Sequence, residues 1–231
     1  MLKPGRFFHL RQRATKEAQQ LFSQPGDEKL FLQKLHERSR DVFTVYGFAL
    51  LPDHYHLLLK IYPVDLLFES WEDKGKPPGR NILRKLPIVP PSRDQVDFDF
   101  LRALPEYIQE MATAAWTSQQ IGAMLSSYAH RITDREMMDG GIFERPFLRR
   151  EIPEDQVEKV LIWLHRNARH HRVESDYTTY KWTSYQSYLS EKATVLPRME
   201  ILNRFGGREG FVRAHERLPE GKEAWRRYCL E

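Results

Sequence analysis

Two β-rich runs separated by a two-residue turn constrain this chain more than any other feature. Phe43 to Leu51 (FTVYGFALL) is nearly all apolar, so it reads as a central strand buried on both faces. Pro52-Asp53 turns the chain, and His54 to Tyr62 (HYHLLLKIY) reads as the next strand, paired with the first as a hairpin.

Around this hairpin the other elements fall into order. Arg6 to Arg13 (RFFHLRQR) mixes apolar and basic residues in rough alternation, the pattern of a half-buried strand. Pro25-Gly26-Asp27 starts a helix that runs to Asp41, with Leu30, Phe31, Leu35 and Val42 at helical spacing. A second helix, beginning near Tyr107 or Thr117 and ending at Arg135, carries a stripe of Ile121, Leu125, Tyr128, Ala129 and Ile132 before Gly140-Gly141. Phe143 to Ile152 reads as a loop and short strand. Glu154-Asp155 then opens a helix reaching about Asn167, its acidic pair suited to the positive end of the helix dipole. The order strand–helix–strand–strand–helix–strand–helix predicts an α+β fold: a ferredoxin-like antiparallel sheet with helices packed on one face.

Between Pro63 and Pro105 the prolines Pro77, Pro78, Pro87, Pro90 and Pro91 interrupt every regular pattern, so a long excursion with little regular structure is expected. Trp182 to Leu189 is aromatic and is expected to pack onto the domain. Arg198 to Ala214 reads as two helices around Gly206-Gly207, followed by a basic helical tail to Glu231. The expected organisation is one domain over 1–190, interrupted by a proline-rich insertion at 63–105, and a C-terminal helical extension over 191–231.

Cys229 is the single cysteine, so neither a disulfide framework within the chain nor a cysteine-based zinc site can form. The first residues lack the apolar core of a signal peptide, and no apolar run approaches the ~20 residues needed to cross a bilayer. A cytoplasmic protein without a membrane partner is expected. The net charge of +4 and pI near 9.1 permit nucleic-acid binding without requiring it.

Residues two apart in a strand project to the same face, so His54 and His56 aim their imidazoles at one point while Tyr55 enters the opposite face. Two imidazoles are half of a divalent metal site and need one or two more ligands. The plainer reading is two ordinary histidines at a strand start. Arg145, Arg149 and Arg150, then Arg166, Arg169, His170, His171 and Arg172, form a basic cluster. It is either a solvated charged face or a phosphate track, with Phe147 or Tyr55 as stacking surfaces and Arg11 and Arg13 extending it.

Phe48 to Leu58 (FALLPDHYHLL) resembles the His-x-His signature of the single-tyrosine HUH transposases, especially the REP-associated branch. Pro4 to Leu10 is similar to the family's opening strand, Gly141 to Arg150 (GIFERPFLRR) to its Phe-x-Arg-Pro-Phe segment, and Lys181 to Tyr188 (KWTSYQSY) to its Ser-Ser-Tyr segment. Phe205 to Phe211 resembles a C-terminal element of some members. The resemblance implies that the histidine pair, with a polar residue from a later helix, holds Mg²⁺ or Mn²⁺ against a phosphate of single-stranded or hairpin DNA. A tyrosine one helical turn before that polar residue attacks and forms a covalent phosphotyrosine intermediate. Dimers are common in the family, so a homodimer belongs to the expectation.

The family helix has the pattern Tyr-Ile-His-x-Asn-Pro; here the matching stretch is Trp163 to Ala168. The resemblance places Asn167 as the third ligand, with a helix C-cap as its plainer role and an exposed helix position as that of His165. The nucleophile's position holds Trp163, whose indole cannot serve. Tyr177 and Tyr180, in a polar loop, are substitute candidates, and Tyr128 reads as core packing. Three readings remain: a transposase-like DNA-binding protein with impaired cleavage; an active nicking and joining transposase using another tyrosine or water; and an RNA-binding module.

Overall fold

The computed structural model describes residues 1–75, 80–88, 97–217 and 230. Residues 218–229 and 231 of the predicted tail, Cys229 among them, lie outside the described residues, as do Pro77, Pro78, Pro90 and Pro91.

Four strands form one sheet: β1 (Phe7–Arg13), β2 (Phe43–Leu51), β3 (His54–Ile61) and β4 (Leu148–Ile152), in the order β2-β3-β1-β4. All neighbours are antiparallel, so the predicted α+β class and strand sequence hold. The hairpin β2–β3 is the most buried part of the sheet. Every residue of β2 except Thr44, and every residue of β3 except Lys60, is shielded from solvent.

The sheet has helices on both faces, not only one. On one side α1 (Asp27–Val42) places Phe31 against Tyr55 of β3, with ring centroids 4.7 Å apart. Tyr128 of α5 (Glu106–Glu136) meets Phe31 edge-on at 5.2 Å. The carboxylate of Asp27, accepting from the backbone of Ser23 and Gln24, also pairs with Arg135 at 2.6 Å and ties α1 to α5. On the opposite side lies α6 (Val157–His170), reached from β4 through a single 3-10 turn, Glu154–Gln156. The extra layer follows from composition: the face of β1 and β3 carrying Phe7, His9, His56 and Leu58 needs cover as much as the Tyr55 face does.

The insertion is more regular than its prolines suggest. α2 (Val64–Asp73), a short α3 (Arg80–Leu83) and α4 (Phe98–Arg102) occur within it. Pro63 and Pro105 stand at the N-cap positions of α2 and α5, where a missing N–H costs nothing. Trp71 of α2 stacks on Trp116 of α5 at 5.3 Å, which docks the insertion onto the second helix.

Beyond α6, α7 (Tyr185–Leu189), α8 (Arg198–Arg204) and α9 (Arg208–Arg217) complete the described chain. Residues just before α7 cover the edge of β2: Ser184 donates its N–H to the Phe48 carbonyl, and Leu50 donates to that of Trp182. An uncovered edge would invite pairing with another chain.

Gly47 is where α6 meets the sheet. A Cβ built there would lie 2.4 Å from Leu161 Cδ1 and 3.4 Å from Ser184 Oγ. Gly→Ala in a strand ordinarily stabilises slightly through the unfolded state. Here Gly47→Ala is expected to destabilise by about 1–3 kcal/mol, because Leu161 is fully buried and cannot step aside. The denaturation midpoint should fall with an unchanged slope.

Candidate metal centre

His54 and His56 open β3, on the face covered by α6. Both are buried, at 1% exposure, and their rings sit edge-on with centroids 5.0 Å apart. Each has one ring nitrogen already engaged. His54 Nδ1 lies 2.7 Å from the Asp53 carboxylate. His54 donating there holds the Asp53 carboxyl below the usual carboxylate range. His56 Nδ1 lies 2.9 Å from His9 Nε2. The remaining nitrogens, both Nε2, are buried and have no hydrogen-bond partner.

The His9–His56 contact has two possible tautomers. If His56 Nδ1–H donates to His9, the Nε2 of His56 carries a lone pair, as a metal ligand must. Burial, and then the neighbouring His9, His54, Arg11 and His171, push the pKa of His56 well down, so this imidazole stays neutral.

Helix α6 lies over the pair. Trp163 meets His56 edge-on at 4.8 Å and His9 at 5.3 Å. Two turns further on, His171 meets His54 at 4.5 Å. Asn167 sits between them on the same helix face, since residues four apart stack along one side. It is fully buried, and neither its Oδ1 nor its Nδ2 has a hydrogen-bond partner. An unsatisfied buried amide costs about 1–3 kcal/mol, so four orphaned atoms on three neighbouring residues mark a place built for something that binds them. His54, His56 and His171 each offer a ligand nitrogen, and the three lie within 4.8 Å of one another. Such a donor set is able to hold a divalent metal.

Two expectations for α6 are corrected. The helix does not stop near Asn167 but reaches His170, so Asn167 is an interior residue and not a C-cap. His165 is not exposed. It is fully buried, with Nε2 2.7 Å from Ser184 Oγ and Nδ1 2.8 Å from His215 Nε2. Phe48 N–H donates to Ser184 Oγ, Ser184 to His165, His165 to His215, and His215 Nδ1 to the Phe211 carbonyl. This chain satisfies each group and locks β2, α6 and α9 together.

The substitute tyrosines are occupied elsewhere. Tyr128 gives its hydroxyl hydrogen to the Leu21 carbonyl at 2.6 Å, and Tyr180 gives its own to that of Leu50 at 2.7 Å. Tyr177 is buried beside Tyr185, His215 and the Arg166 guanidinium, with its hydroxyl pKa raised by burial.

The arginines divide into groups. Arg11, opposite His56 in the β1–β3 register, is 5% exposed, and Arg13, opposite His54, is exposed. Arg150 is opposite His9 in the β1–β4 register, so it shares their face. Arg149 alternates to the other face, beside the Phe147 ring at 5.8 Å. Arg145 is exposed in the loop before β4. On α6, Arg166 donates to the His215 carbonyl at 2.8 Å and Arg169 is exposed. Arg172 follows His171 with a left-handed φ of 59°. Tyr55, fully buried, offers no stacking surface.

Among the described residues no helix is long and apolar enough to cross a membrane. No family model matches the chain, and no curated protein does. One solved structure to which the chain is similar is that of a REP-associated tyrosine transposase bound to a REP hairpin. The match covers 84% of this chain and 86% of that one, at 11% identity with a TM-score of 0.49.

Proposed function

We propose that this is a transposase-like DNA-binding protein that grips a phosphate of single-stranded or hairpin DNA at a divalent metal held by His54, His56 and Asn167. Strand cleavage is lost or strongly weakened because Trp163 stands in the nucleophile's place. The observation that carries this reading is the set of buried, partnerless atoms: both histidine Nε2 atoms and the whole Asn167 amide, under one face of α6.

The metal, Mg²⁺ or Mn²⁺ by the family resemblance, supplies Lewis-acid polarisation of a phosphate oxygen when bound. The chain's own residues do the rest. Asp53 holds the His54 imidazole in the tautomer that presents Nε2, and His9 does the same for His56 when it accepts from His56 Nδ1–H. Trp163 closes one end of the site and keeps water from His56. Arg11, Arg13 and Arg150 share the sheet face of the histidines and supply positive charge for the neighbouring phosphates. Arg145, Arg169 and Arg172 are the outer part of that track, while Arg149 lies on the other face of the sheet and Arg166 is committed to His215.

Titrating a hairpin oligonucleotide with Mn²⁺ present tests the reading. Binding is expected to be tighter than to random duplex and to fall with salt. Arg13→Ala should reduce the slope of log affinity against log salt by about 0.7–0.9, the equivalent of one phosphate contact. Equal affinity for random duplex, with no dependence on salt, would rule it out. Tighter binding of an RNA of the same sequence would favour the RNA-module reading instead.

A further inference from the structure

His171 is not part of the motif that marks His54 and His56, and it lies on a different element. It caps the C-terminal end of α6, one turn after Asn167, and its backbone N–H donates to the Asn167 carbonyl at 3.0 Å. Its ring packs edge-on against His54 at 4.5 Å, and its ligand nitrogen falls within 4.8 Å of those of His54 and His56. The spacing is close to what one ion requires. Metal–nitrogen bonds of about 2.0–2.1 Å place ligating nitrogens roughly 3.4 Å apart around a tetrahedral ion, a distance that ring rotation can reach.

We propose that His171 is the third imidazole ligand of this centre, and that the resulting site takes a transition metal of the Zn²⁺ or Co²⁺ class in preference to Mg²⁺. The inference rests on reading the histidine pair as a metal site and goes beyond it in ligand and ion.

The chemistry of the donors carries the preference. Mg²⁺ favours hard oxygen ligands, carboxylates above all, and gives up its water reluctantly. The grouped donors here are three imidazoles, with no carboxylate among them. Asp53 is turned to the Nδ1 side of His54, where it strengthens the imidazole as a donor instead of binding the ion itself. Imidazole suits zinc, nickel and copper, and affinity rises along the first transition row from Mn²⁺. The C-terminal end of α6 also points its negative dipole at the site, which favours any bound cation. Asn167, with its unpartnered amide, completes a four-donor shell.

Metal binding to the full chain, followed by calorimetry and by the visible absorption of added Co²⁺, tests the proposal without any measure of activity. Wild type should bind one equivalent of Zn²⁺ at least ~100-fold more tightly than Mg²⁺, in keeping with the ligand preferences of nitrogen sites. Co²⁺ should show the intense visible bands of a four-coordinate, nitrogen-rich site. His171→Ala should lower Zn²⁺ affinity by roughly 100-fold or more, the scale of losing a ligand, and weaken the Co²⁺ bands, with Mn²⁺ binding changed only a few-fold. Unfolding curves of the metal-free variant exclude a folding defect, and the cobalt spectrum of wild type needs no variant at all. If His54→Ala abolishes Zn²⁺ binding but His171→Ala leaves it unchanged, the metal site stands and the role of His171 is overturned. If wild type binds no divalent ion, the metal reading itself fails and this proposal with it.

Discussion

Trp163→Tyr is expected to form a covalent adduct with labelled single-stranded DNA in the presence of Mn²⁺, where the native protein forms none. The indole now lies edge-on to His56 at 4.8 Å and to His9 at 5.3 Å, so a side chain from this position already reaches one member of the histidine pair. A phenol projecting from the same Cα would bring its oxygen beside the phosphate that the His54, His56 and Asn167 site is proposed to hold. Attack on phosphorus would form the tyrosine ester and break the bond to the leaving sugar oxygen, which takes up a proton. The smaller ring leaves a void, and the expected destabilisation is about 1–2 kcal/mol. Trp163→Phe provides the control, since it opens the same space without a hydroxyl. An adduct in the Tyr variant alone, seen on a denaturing gel, is the predicted outcome. No adduct from a Tyr variant that still binds hairpin and metal would show that position 163 is not where a nucleophile acts.

The largest stability effect is expected away from the metal centre, at His165. His165→Leu removes the middle of the Ser184–His165–His215 chain: His215 Nε2 is left buried without a donor, and the Ser184 hydroxyl loses its short bond to His165 and keeps only its contacts with Phe48. At about 1–3 kcal/mol for the abandoned group, with the lost serine bond added, the loss should be on the order of 3 kcal/mol. Thermal denaturation should show a fall of about 10 °C for a chain of this size. A change under about 1 kcal/mol would mean that the network contributes little.

The same chain makes stability depend on pH. Burial pushes the pKa of His215 down to about 4, against an ordinary value of 6.5. The unfolded chain therefore takes up the proton first as pH falls. The contribution is fully present above pH 6.5 and is lost as pH drops toward 4. Between pH 7 and pH 5 His215 alone should cost about 2 kcal/mol, so a His215→Phe variant should show a flatter profile over that interval.

The central hairpin was legible from its continuous apolar runs about a two-residue turn, and the histidine pair from the two-residue period of a strand. That period placed His54 and His56 together, and the apolar run from Phe43 placed them beside a buried neighbour. Helix α6 was legible only in part. Its apolar positions predicted the element to about Asn167, but the basic stretch Arg169–His171 read as either a solvated face or a phosphate track and gave no sign that His171 meets His54. The added turn that carries His171 to His54 depends on packing against the sheet. His9 was visible as a strand residue, but its bond to His56 required the β1–β3 register, which alternation cannot supply. His165 and His215 are 50 residues apart in sequence, and nothing local links them. The proline at 63 concealed α2, because a proline at a helix start reads the same as one that breaks a loop, whereas the helix after Pro105 was expected from near Tyr107 or Thr117.

Anomalous diffraction from crystals grown with Mn²⁺ tests the central claim most directly. The account predicts one strong peak bonded to His54 Nε2 and His56 Nε2, with the Asn167 side chain turned toward it. Ordered crystals with no peak there, and with both Nε2 atoms hydrogen bonded to protein or water, would contradict it.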